Sequence, residues 1–188
     1  MYAPTASFRA PGYAVGFIAL FGSFGASVAV LRWNLAGLFV VAALAPAAIA
    51  AAVDLRCDRV PDRLVGLSFV PTAFVTAHQI AAGAAAAVLL AVIVGAAAIA
   101  IPLLVMHLVS PEAMGFGDVK IGAALGAAVG LVEPRAGLVA LCLASAITGT
   151  VGLVMRRRAL PFGPGLFVGS VGALAIAGRL GAEPLPWR

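Results

Sequence analysis

The segment AAAAVLLAVIVGAAAIAIPLLVMHLV, residues 84–109, contains no Asp, Glu, Lys or Arg. The hydrocarbon core of a bilayer is about 30 Å thick, and roughly 20 mostly apolar residues cross it as a helix. Lipid offers no partner for backbone N–H and C=O groups, so a lone segment must satisfy them internally, as a helix does. This run therefore reads as a membrane-spanning helix.

Working outward, six further runs have the same character: Tyr13–Leu31, Leu35–Val53, Leu64–Ala82, Asp118–Val132, Ala136–Met155 and Gly165–Gly178. The runs from Asp118 and from Gly165 are short and would suit thinned lipid or a start in a water-filled vestibule. The expected fold is all-α, a polytopic bundle of about seven spans (six to seven). The run from Tyr13 is too long for the apolar part of a cleavable signal and reads as a retained first span.

Composition agrees. Of 188 residues, 63% are hydrophobic and 10% charged, with a mean hydropathy of +1.14. Soluble domains run nearer half apolar and a quarter charged, and no stretch here is long enough for a separate soluble domain. The net charge of +5 sits in short loops between apolar runs. It sets membrane orientation and argues against nucleic acid. With the N-terminus cytoplasmic and seven spans, Arg9, Arg56, Arg59, Arg63, Lys120 and Arg156–Arg158 fall inside, and Arg32, Arg135, Arg179 and Arg188 outside. Cys57 and Cys142 form neither a metal pattern nor a close-spaced redox pair. No disulfide, metal or cofactor is expected, and Cys142, inside an apolar run, reads as a packing residue.

The acids carry the functional reading. The chain has seven: Asp54, Asp58, Asp62, Glu112, Asp118, Glu133 and Glu183. An acid at the edge of hydrocarbon is costly to keep and marks function. Asp54 directly follows APAAIAAAV and is the least solvated of its cluster. Asp58 and Asp62 lie further out, in DLRCDRVPDR (54–63), where Pro61 breaks a continuous helix; they read as solvated charges paired loosely with arginines. Asp118 follows Gly115 and Gly117 in MGFGDVK (114–120) and opens a helix, where the dipole favours a negative charge. The two glycines permit turns closed to other residues and close approach to a neighbour. Residue type leaves open whether Asp54 and Asp118 are interfacial helix-end acids or functional ones. Topology nevertheless brings both to one membrane face.

Gly122, Gly126 and Gly130 follow at four-residue intervals and line one face of the Asp118 helix, a surface for close helix packing. Lys120, two residues from Asp118, should point elsewhere on a helix and reads as an interfacial anchor. His78 and His107 are isolated near span ends, without converging metal ligands.

VDLRCDRVPDRL (53–64) and GFGDVK (115–120) resemble the two signature segments of the type IV prepilin peptidases, membrane aspartic peptidases of the GxGD type. PFGPG (161–165) resembles a further segment of that family, at the start of a late span. The resemblance covers about residues 45–178 of a single membrane domain (1–188), with 1–34 as an extra N-terminal span. It implies that Asp54 and Asp118 are the catalytic acids and that Gly115 and Gly117 shape the loop presenting Asp118. It also implies a substrate: a prepilin or pseudopilin precursor whose basic leader is cut at the cytoplasmic face of the cell membrane. The chain resembles the short, peptidase-only members, because it lacks the paired CxxC motifs of the family's methyltransferase domain. Two rival readings are a presenilin-like intramembrane protease and a small transporter or structural membrane subunit. The first would pair the GxGD acid with a Tyr-Asp segment, whereas Val53 precedes Asp54 here. The second would use the acids as a proton relay or in packing.

Overall fold

The computed structural model describes residues 35–57, 60–112, 114–156 and 160–180. The expected span Tyr13–Leu31, Asp58 and most of the Arg156–Arg158 run lie outside them. Among the described residues six helices follow one another: α1 (Leu35–Cys57), α2 (Asp62–Ala81), α3 (Ala85–Val109), α4 (Phe116–Gly130), α5 (Ala136–Met155) and α6 (Gly163–Arg179). No strand occurs among the described residues. The helices match the second to seventh apolar runs, with ends displaced by a few residues at most. Pro61 separates α1 from α2, standing in extended backbone just before Asp62.

Among the described residues, four helices are long and apolar enough to cross a membrane: α1 over Leu38–Leu55, α2, α3 over Ala86–Val109, and α5. α4 and α6 have 15 and 17 residues. At about 1.5 Å per residue they reach about 22 and 25 Å, short of the roughly 30 Å of hydrocarbon.

The short helix α4 is nevertheless the centre of the bundle, packing against each of the other five described helices. From Val119 to Gly130 nearly all of it is buried. Leu44 of α1, Ile99 of α3, Ile121 and Leu125 of α4, and Leu166, Phe167 and Leu174 of α6 are fully buried together. The outer surface is apolar too: Leu90, Leu108, Val109, Leu153 and Val154 are exposed. So large an apolar exterior suits lipid rather than water.

With both surfaces apolar, burial is not driven by hydrophobicity, and close packing takes over. The glycine face of α4 lies on α3. A Cβ at Gly126 would collide with the carbonyl oxygen of Gly95, one at Gly130 would lie 2.5 Å from the carbonyl oxygen of Ala91, and one at Gly122 would lie 2.9 Å from Ile99. The expected packing surface is therefore present and α3 is its partner, with Gly95 as the reciprocal gap. α6 meets α5 in the same way, Gly165 against Thr148 and Gly169 against Ala140 and Ala144. Cys142 is exposed on α5 rather than packed. In a helix apolar all round, hydropathy does not say which face turns inward.

Gly126→Ala should destabilise the protein by about 1–3 kcal/mol, the usual range for overpacking. Gly66→Ala, on α2 with nothing within 4 Å of the added carbon, should be neutral or slightly stabilising. Unfolding midpoints in detergent micelles compare the two.

Candidate active site

Asp54 sits where it does because of the face it occupies on α1. Val40, Leu44, Ala47 and Ala51 are buried at intervals of three and four, the spacing of one helix face. Asp54 continues that stripe and is itself only 5% exposed. An acid is thus carried inward at the end of an apolar face.

Asp118 lies in the first turn of α4, partly buried. Its amide donates to the carbonyl of Gly115, 3.1 Å away. Gly115 is extended, with φ −70° and ψ 141°, and Gly117 is not among the residues with positive φ. Unusual backbone angles therefore do not explain these two glycines. Close approach explains one of them: a Cβ on Gly117 would lie 3.0 Å from Cβ of Val60. The α1–α2 connection thus rests on the first turn of α4.

The two acids meet at the start of α6. A Cβ built on Gly163 would lie 2.8 Å from Asp54 Oδ2 and 3.7 Å from Asp118 Oδ1. Both carboxylates therefore border the small volume left by the side chain that Gly163 lacks. The amides of Gly163 and Gly115 also face the Asp118 carboxylate. Asp118 Oδ1 itself is buried with no hydrogen-bond partner. The α6 N-terminus adds a partial positive charge at this point. Gly163 belongs to the PFGPG segment, whose place at the head of a late span was legible, but its position between the acids was not. Only the folded α6 brings it there.

A cavity of about 300 Å³ opens over the pair, lined by Asp54, Val60, Asp62, Gly115, Phe116, Gly117, Asp118 and Lys120. Two of these residues correct the reading of the sequence. Asp62 pairs with Lys120, at 2.7 Å, a partner on another helix that its own segment did not suggest. Lys120, expected to point away from Asp118, reaches the same cavity. α2 and α4 both begin at this end, and a long lysine side chain spans the gap between their first turns. The pair is open to solvent, its side chains 38% and 74% exposed for Lys120 and Asp62. Lys120 also covers the Phe116 ring, 5.2 Å from its centre. His107 is not isolated either: its Nδ1 lies 2.8 Å from the Met114 carbonyl oxygen.

Two carboxylates facing one pocket can do general acid–base chemistry. Held close, they do not both ionise easily, so one retains a proton while the other is charged.

A family model described as the type IV leader peptidase family matches residues 38–154. The matched region includes both aspartates and the glycine loop, and it ends before PFGPG (161–165). No curated protein and no solved structure matches the chain.

The Lys120–Asp62 pair should contribute little to stability despite its short distance, because exposed ion pairs are worth about 0–1 kcal/mol. A double-mutant cycle of Lys120→Met and Asp62→Asn, followed by unfolding, should give a coupling energy below about 1 kcal/mol.

Proposed function

The chain belongs to the type IV leader peptidase family, and we propose that it is an aspartic endopeptidase with Asp54 and Asp118 as its catalytic acids. The observation that carries this reading is their convergence on Gly163 beneath one cavity. The charged carboxylate takes a proton from a water molecule. The water oxygen attacks the scissile carbonyl, which the protonated carboxyl polarises. Collapse of the tetrahedral intermediate releases the amine, which takes up a proton from the pair, and no covalent enzyme intermediate forms.

The glycines suit a peptide substrate. Gly115 and Gly117 line the cavity without side chains, so an extended chain can lie against the loop that carries Asp118. Gly163 contributes room and an amide that faces one acid. The substrate in this reading is a prepilin-like precursor, cut between its basic leader and its apolar helix. The cut lies at the cytoplasmic face of the cell membrane. Arg63, Lys120 and Arg156 begin or end helices at the site's end of the bundle, and Arg135 and Arg179 at the other, a bias in the direction of positive-inside.

Asp54→Asn and Asp118→Asn should each lower cleavage of a co-expressed prepilin by about 10²–10⁴-fold, the scale of a lost acid–base group, at unchanged protein level and membrane insertion. Retained cleavage in both variants would contradict the assignment. Gly163→Ala should lower cleavage at least about tenfold, because the added carbon displaces Asp54 and small misplacements of reacting groups are costly. Immunoblots of precursor and mature forms read both experiments.

A further inference from the structure

The segment before Asp118 runs from the end of a loop into the first turn of α4, and its only side chains are those of Met114, packed against the core, and Phe116. Two of the four residues from Met114 to Gly117 are glycines. Its backbone must nevertheless be fixed, because Asp118 is the next residue and its amide bonds back to Gly115. A ring from another helix supplies that support.

His107 stands in the last turn of α3, half-buried. Its Nδ1 lies 2.8 Å from the carbonyl oxygen of Met114. A carbonyl oxygen only accepts, so Nδ1 carries the proton and donates it. The same ring packs against Phe116, with centroids 5.4 Å apart and planes tilted by 42°, within the range of favourable aromatic pairs. Phe116 is covered in turn by the Lys120 ammonium, which Asp62 holds. His107 thus grips the residue before Gly115 by a hydrogen bond and the residue after it by ring contact.

We propose that His107 is a positioning residue for Asp118, fixing the Met114–Gly117 backbone so that the carboxylate meets Asp54 at Gly163. This rests on the reading of Asp54 and Asp118 as the reacting acids. The ring of His107 does not line the cavity, so its remaining basic nitrogen, Nε2, does not meet a reacting substrate or water there. Its contribution is therefore to the geometry of the reacting group, which acts on kcat rather than on substrate binding.

The test uses the full chain in micelles with a prepilin-type peptide. His107→Ala should lower kcat about tenfold or more with KM little changed. His107→Asn, whose amide can donate to the same carbonyl, should recover most of that loss. His107→Phe keeps a ring but no donor and should remain impaired. Amide hydrogen exchange over residues 114–118 gives a second readout: it should accelerate in His107→Ala and return towards wild type in His107→Asn. Unchanged exchange and kcat in His107→Ala would overturn the proposal. Equal loss of kcat in His107→Ala and His107→Asn, with exchange restored in the latter, would also overturn it, since the ring would then be acting in proton transfer. Should Asp118→Asn cleave as well as wild type while exchange behaves as stated, the loop support stands and the peptidase assignment fails.

Discussion

The site depends on a contact in which side chains are missing. α4 reaches α3 through Gly122, Gly126 and Gly130, and Gly95 answers from the other side. Lipid tails are as apolar as leucine, so helices in a bilayer associate through close packing rather than by escaping solvent. With the backbones in contact, a helix of 15 residues can touch five neighbours at once. Its first turn is then surrounded by the ends of α1, α2, α3 and α6. Asp118 is in that turn, and the glycine face fixes where its carboxylate lies.

A second absence of side chain completes the arrangement. Gly163 opens α6 between the two acids, giving room to Asp54 and an amide that faces Asp118. A larger residue would occupy the volume where both carboxylates border one point. The apolar interior isolates the pair, while the Lys120–Asp62 bridge keeps the nearer rim of the cavity polar. The proposed reaction needs both features: water must enter, and the acids must not be fully solvated.

Much of this was legible in the sequence for definite reasons. Long apolar runs marked the helices, because a backbone in lipid has few other options. Pro61 marked the break between α1 and α2, and four-residue glycine spacing marked the packing face of α4. Asp54 was separable from Asp62 because it directly follows an apolar run and by the family resemblance, and Asp62 is exposed. What was not legible came from the third dimension. The contacts of Lys120 with Asp62 and of His107 with Met114 join elements whose meeting no periodicity encodes. The inward face of α5 was hidden for another reason: it is apolar all round, so Cys142 gave no sign of pointing outward. Gly115 and Gly117 were noticed, but backbone freedom does not account for them; at Gly117 the reason is room for Val60.

The proposed chemistry requires the residue 54 and residue 118 side chains to face one another across Gly163. Cross-linking measures this directly. With Cys57→Ser and Cys142→Ser as background, Asp54→Cys and Asp118→Cys are combined and treated with a short bis-thiosulfonate reagent. Proteolysis between the two positions and electrophoresis then show whether the fragments are joined. An intramolecular link is expected in the double variant and none in either single variant. Modification of both cysteines without a link would contradict it, because the two side chains would then not share one cavity.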